Sequence, residues 1–156
     1  MTKNYLNILT LGLTMLTFNS CHAQTSKDSA DQKLIQEIQQ SHIDGNIPDK
    51  NEFDSLLNRD LAKYFLALYG PTTVKWEFLR DGPTQSGVSY PKYYLWIEIN
   101  NGQKLVSEGA VRVAAIDKTR FDITNYVDIN QIKDKSTDIY NIFPRAVCEK
   151  IESRLK

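Results

Sequence analysis

Few residues in this chain are equipped to move protons or hold metals. His22 and His42 are the only histidines, and neither has a Cys or His partner at ligand spacing. A zinc site is therefore not expected. The chain contains no Gly-rich phosphate loop, no G-x-S-x-G elbow and no H-E-x-x-H pair, the short patterns that mark nucleotide, acyl-transfer and metalloprotease chemistry. A Ser-His-Asp arrangement would have to recruit His42. Glu77, Asp81, Glu98, Glu108 and Asp117 fall on or beside expected strands. Two of them facing one pocket could divide acid and base roles if burial pushed their pKa values apart, but a solvated strand face accounts for the same positions. The chain reads as a binding protein rather than an enzyme, with no cofactor and no metal.

Two other features suit binding. Arg112 interrupts the run Gly109 to Ile116 (GAVRVAAI), otherwise fit for a buried strand. A guanidinium there needs partners, because an unpaired buried charge costs several kcal/mol. Glu98 and Glu77 on neighbouring strands are the expected partners, and an anion in a sheet concavity is the alternative. The segment Arg80–Lys92 joins two strands yet exceeds the usual hairpin loop. It holds two glycines and two prolines, and Tyr90, Tyr93 and Tyr94 cluster at its exit. Tyrosine joins a large ring to a polar tip, so Tyr90, Tyr93, Tyr94, Trp96 and Arg112 are the candidate binding residues. The competing reading packs the loop over the sheet end with its tyrosines inside. Cys148, between Val147 and Ile151, reads as a buried small hydrophobe.

These residues need a frame. Leu34, Ile35 and Ile38 predict a short helix from Asp31 to His42, ended by Asp44-Gly45-Asn46 and Pro48. Phe53, Leu56, Leu57, Leu61, Tyr64, Phe65 and Leu68 recur at steps of three and four, predicting a long core helix from Asp49 to Tyr69. Asp49 and Glu52 form a capping-box-like start, and Gly70-Pro71 a stop. The period then shifts to two. Val74, Trp76 and Phe78 alternate with charged residues, and Tyr93, Leu95, Ile97 and Ile99 alternate with Tyr94, Trp96 and Glu98. Asn101-Gly102 signals a hairpin. Val111–Ile116 and Phe121–Ile129 follow, joined through Asp117-Lys118-Thr119. A last helix is expected from Pro144, with Val147, Ile151 and Leu155 on one side. The fold class is α+β: a long helix packed on a four-stranded antiparallel sheet, with a short N-terminal helix and a C-terminal helix. In outline it is similar to cystatin-like and NTF2-like small domains, a likeness of architecture that carries no residue-level motif.

The N-terminus bears on compartment. Lys3 precedes an uncharged apolar run, Leu6–Phe18, and Ser20-Cys21 follow directly. Such a run matches a secretory h-region and is shorter than a bilayer span. Residues 1–24 resemble bacterial lipoprotein signal peptides, in which a small residue precedes the cysteine that takes the lipid. The resemblance implies cleavage after Ser20, lipid on Cys21 and anchoring to a membrane. An ordinary leader cut after Ala23, and an uncleaved anchor, are the alternative readings. Residues 1–20 would then be the cleaved signal, 21–30 a small polar tether and 31–156 one domain. The absence of Asp directly after Cys21 implies, by likeness to proteobacterial lipoproteins, outer-membrane placement facing the periplasm.

Composition narrows the partners. Removing Lys3 with the leader leaves 18 basic residues against 19 acidic ones, a net charge near −1. Nucleic acid, whose phosphates call for a basic surface, is not an expected partner. The best-supported expectation is a lipid-anchored envelope domain that recognises a protein or peptide, one form being an immunity-type protein that blocks a periplasmic toxin. The second is a pocket between sheet and long helix, lined by Trp96 and Arg112, for a small apolar or anionic ligand. An envelope hydrolase or isomerase working through carboxylates is the third.

Overall fold

The computed structural model of the protein describes residues 22–87 and 89–156. The expected leader and Cys21 lie outside the described residues. Contacts divide the chain after Leu34, and Ile35–Lys156 forms the main compact unit.

Helix α1 runs His22–Asn46, longer at both ends than the predicted 31–42. The stretch read as a tether is helical from His22, since Ala, Gln and Lys are good helix formers and no Gly or Pro intervenes before Gly45. Leu34, Ile35 and Ile38, expected to mark a packed face, are 52–55% exposed. The helix ends at Asn46, whose side-chain amide donates to the His42 carbonyl at 2.8 Å. The Asn46 side-chain oxygen accepts from the Asp117 amide at 3.0 Å, and its carbonyl from the Lys118 amide at 2.9 Å. This buried residue ties the end of α1 to a distant turn.

Helix α2 spans Lys50–Tyr69. Asp49 is its N-cap but makes no side-chain cap bond, so the expected capping box is absent. The Asp49 carbonyl instead accepts from the Glu52 and Phe53 amides. Leu57, Leu61 and Phe65 are fully buried at steps of four, with Phe53, Leu56 and Tyr64 beside them. Leu68, predicted on this stripe, is exposed, and Tyr69 takes the place one further step of four reaches. Gly70, at φ 75°, closes the helix by donating to the Leu66 carbonyl.

Strands β1 (Thr73–Phe78), β2 (Lys92–Asn101), β3 (Lys104–Ile116) and β4 (Arg120–Asp128) form one antiparallel sheet in that order, a meander. The β2–β3 turn is Gly102-Gln103 rather than Asn101-Gly102, since Asn101 still pairs with Lys104 and only Gly102 has positive φ. Asp117 and Lys118, both at positive φ, turn β3 into β4. Asp60 pins α2 there, accepting from the Phe121 amide at 2.7 Å.

The sheet is buried on both faces. Tyr93, Leu95, Ile97, Ile99, Val111, Val113, Ala115 and Phe121 meet α2. Leu79, Tyr94, Trp96, Ala110 and Val127 meet a second helical layer. That layer holds α3 (Ile129–Lys133), a 3₁₀ turn (Ile139–Asn141) and α4 (Arg145–Ser153). Ile132, Ile139, Phe143, Val147, Cys148 and Ile151 face the sheet. The expected α+β class holds, a long helix on a four-stranded antiparallel sheet with helices N- and C-terminal to it, and the C-terminal helix shares the second face with α3 and the 3₁₀ turn.

Gly109 pairs with Asp128 across β3 and β4, with no room for a side chain. A Cβ there would lie 2.8 Å from the Asp128 Cα and closer still to the Val127 carbonyl oxygen. Gly109→Ala is expected to destabilise the fold by about 1–3 kcal/mol, as overpacking does. Urea titration should show a lower midpoint at unchanged slope, and an unshifted midpoint would mean that the strands part without cost.

Candidate functional site

Core packing claims most of the predicted site residues. Tyr93 lies under α2, edge-on to Phe53 at 5.0 Å, and burial pushes its phenol up to about 12. Tyr94 points to the other layer, where its hydroxyl meets Thr84 Oγ1 at 2.6 Å and its ring abuts Phe143. Trp96 is 4% exposed. The Arg154 guanidinium covers its ring at 5.3 Å and pairs with Glu77. Tyr90 alone of the three tyrosines is open, at 43%, and stacks on His42 with centroids 6.2 Å apart.

The Arg80–Lys92 loop is knitted to the sheet. Thr84 and Lys92 exchange backbone hydrogen bonds at 2.8 Å, Ala115 donates to the Pro91 carbonyl, and Gln85 reaches Ser89. Tyr93 and Tyr94 are buried as the structural reading of the loop required, and Tyr90 is not.

Arg112 finds neutral partners rather than Glu98 or Glu77. Its Nε donates to Thr124 Oγ1 at 3.0 Å and its Nη1 to the Ile142 carbonyl at 2.8 Å. It therefore fastens the second helical layer to β3 and β4. Both Arg112 and Trp96 lie on the face away from α2. A pocket between sheet and long helix lined by these two residues is not what forms.

The candidate carboxylates of the strands lie close to one another. Glu77 and Glu98 line one small cavity of about 160 Å³ with Lys75, Trp76 and Trp96. Glu77 is held by Arg154, and Glu98 stands opposite Lys75 in the β1–β2 register. On its other side Glu98 stands opposite Glu108 in the β2–β3 register. Asp81 and Asp117 are exposed. Among the described residues no group of three or more His, Cys, Asp or Glu could hold a metal ion, and no helix is long and apolar enough to cross a membrane.

The larger opening lies on the second layer. A groove of about 550 Å³ is lined by Ile132, Lys133, Lys135, Thr137, Asp138, Ile139, Tyr140, Glu152 and Leu155. Local chemistry builds its walls. Asp128 caps α3 in a true capping box with Gln131. Lys135 then takes a left-handed conformation at φ 57°, and Asp134 accepts from the Ser136 amide at 2.8 Å; hydrogen bonding to the Ser136 side chain, and then to this amide, holds its carboxyl below its usual value. Asp138 caps the 3₁₀ turn through the Tyr140 amide and accepts from the Asn141 side chain. The Tyr140 hydroxyl donates to Glu152 at 3.1 Å, and that hydrogen bond raises its pKa. The result is an aliphatic floor of Ile132, Ile139 and Leu155 inside a rim carrying both signs of charge. Sequence reading missed this site. Its available signals were the Asp128/Gln131 capping box and the Asp138 cap.

No protein-family model matches this chain, and neither curated proteins nor solved structures give a match. Its class is therefore defined by its own geometry: an α+β sandwich whose four-stranded antiparallel meander is covered on both faces.

Two outcomes check these placements. Tyr94→Ala should cost about 3–5 kcal/mol, in the range of large aromatic truncations in cores, whereas Tyr90→Ala should cost well under half as much. Equal losses in chemical denaturation would contradict the assignment of Tyr94 to the core. The Cys148 thiol is fully buried and donates to the Ile139 and Phe143 carbonyls. Burial, with Glu152 and Asp138 nearby, pushes it from 9.0 to about 11. Because the folded pKa is raised, this contribution to stability is complete below pH 9 and is lost as pH rises through about 11. Thiol labelling at pH 8 should wait on unfolding, and labelling at the rate of a free thiol would show that the site is open.

Proposed function

We propose that this protein is a lipoprotein of the cell envelope whose folded domain binds a protein or peptide partner, with Cys21 as the lipid-bearing residue. One observation carries the binding part: the groove on the second helical layer joins an aliphatic floor to a polar rim. A few apolar contacts with convergent polar groups are what binding sites of this kind supply. The anchoring part rests on the resemblance of residues 1–24 to lipoprotein signal peptides. A lipid on Cys21 would hold the domain at a bilayer, where an envelope partner is met at high local concentration. An immunity-type protein is one form this reading can take.

Cys21→Ser tests the anchor. Mass spectrometry of the native product should show acylated Cys21, and the variant should move from the membrane to the soluble fraction. An unmodified thiol, or a leader still attached, removes the anchoring claim. A photo-crosslinking residue in place of Tyr140, which is 49% exposed, should capture an envelope protein in intact cells. The same group in place of Leu68, on the outer side of α2, should not. Equal capture from both positions would remove the groove from the binding reading.

A further inference from the structure

Every residue of β1 is exposed or half-buried, unlike the other three strands. The strand stands at one edge of the sheet, with β2 on its inner side. One residue past it, the Leu79 amide donates to the Tyr94 carbonyl at 2.9 Å and so points to β2. Main-chain groups alternate sides along an extended chain. Those of Thr73, Lys75 and Glu77 therefore point to β2 as well, and those of Val74, Trp76 and Phe78 point outward. Among the described residues no main-chain hydrogen bond from outside the sheet reaches these three. The opposite edge is closed. The Phe121 amide on β4 is taken by Asp60 at 2.7 Å, Arg120 pairs with Asp122, and a register shift between Arg112 and Val113 interrupts the β3–β4 ladder. Bulges, charges and covering groups of this kind keep edge strands from pairing. The register of β1 on β2 has no such interruption.

The side chains of β1 fit a copy of themselves. Lys75 and Glu77 lie opposite Glu98 and Trp96, on the sheet face toward α4. Val74, Trp76 and Phe78 lie opposite Ile99, Ile97 and Leu95, on the α2 face. We propose that two copies of this chain pair through β1, antiparallel about a two-fold axis at Trp76, to make one continuous eight-stranded sheet. In that register Trp76 faces Trp76 of the second copy and Val74 faces its Phe78. The outward residues then exchange main-chain hydrogen bonds, two in each facing pair. Lys75 meets Glu77 of the second copy, and does so twice by symmetry. Sliding one strand by two residues in either direction keeps the main-chain bonds but sets Lys75 on Lys75 or Glu77 on Glu77. Like charges directly opposite destabilise a sheet, so charge selects the register. Phe78, 39% exposed and 5.2 Å from the Trp76 ring, gains cover from Val74 of the second copy. Arg154 still holds Glu77, and Glu98 still stands across from Lys75, so unlike charges alternate through the junction. With β4 closed, the contact uses the same edge of both copies and ends at two. It shares no residue with the groove on the second helical layer, is additional to the envelope-partner reading and does not depend on it.

Sedimentation velocity of the full chain in non-ionic detergent tests this, at concentrations from roughly 1 μM to 1 mM, the range of weak, small contacts. The native chain should pass from one copy to two and no further. K75E and E77K should each weaken self-association roughly tenfold, because both facing pairs become like-charged. An equimolar mixture of the two variants should recover the native affinity, since every facing pair is again unlike. E77K also loses the Arg154 pair, so recovery on mixing separates a contact between copies from damage within one. V74P removes an outward amide that β1–β2 pairing does not use, a substitution that edge strands tolerate. It should abolish the dimer with little change in thermal midpoint. A native chain that stays single at the highest concentration would overturn the proposal. So would a dimer that K75E leaves intact, a mixture that associates no more tightly than the separate variants, or growth past two copies, which would put the contact on another surface.

Discussion

Burial of one small sheet on both faces is the constraint on which the rest of the molecule depends. Antiparallel sheets commonly leave one face to water, and their strands then alternate apolar with polar residues. Here Tyr93 through Ile97 are buried without a break, and β3 from Gly109 to Ile116 is buried except at Arg112. Such strands need bulky side chains in both directions. The tyrosines and Trp96 are therefore filling volume: Tyr93 against Phe53 and α2, Tyr94 and Trp96 against Phe143 and the α4 layer. Arg112 is accommodated because a hydroxyl and a carbonyl satisfy it without a second buried charge.

The same constraint explains what could and could not be read from the residues. The long helix, the four strands and the final helix follow from strong periodicities, and Leu57, Leu61 and Phe65 bury as their spacing requires. Aromatics in a two-sided strand look, in one dimension, like aromatics displayed for recognition. Only the closing layer distinguishes the two. That layer was hard to foresee because α3 has five residues and the 3₁₀ turn three, too few for a period to register. Ile132 and Ile139 belong to neither stripe that could be counted. Arg112 was assigned carboxylate partners because strand neighbours are the first place to look, yet its carbonyl acceptor, Ile142, is thirty residues away in the chain. The Asp49 cap failed for a related reason: its side chain faces Lys118 across the fold, at 3.9 Å, rather than its own helix.

Long-range polar clamps complete the arrangement. Asn46 bonds the Asp117-Lys118 turn, and Asp60 bonds the start of β4 while its carboxylate also holds Arg59. Both clamps converge on the β3–β4 turn, so the positions of α1's last turn and of α2 are set by the same few residues. A turn with two non-glycine residues at positive φ is costly in isolation. Its amides serve here as donors to Asn46, which gives that conformation a structural use.

A closed two-sided core leaves recognition to the periphery, and the short elements are where the periphery is least complete. A helix of nine residues cannot cover a sheet face alone, so α3 and the 3₁₀ turn must share it with α4. Elements this short meet at angles set by caps and turns rather than by interlocking ridges, and a gap between them follows. Its floor is aliphatic because the same residues also face the core: Ile132 and Ile139 each contribute to both. Its rim is polar because the residues that end and begin short helices must satisfy free amides. The groove is thus a geometric by-product of covering the second face with small pieces, and its chemistry is inherited from their caps. Lys133 and Lys135 are the exception, since the ammonium group of neither caps a helix nor forms an ion pair with a described residue.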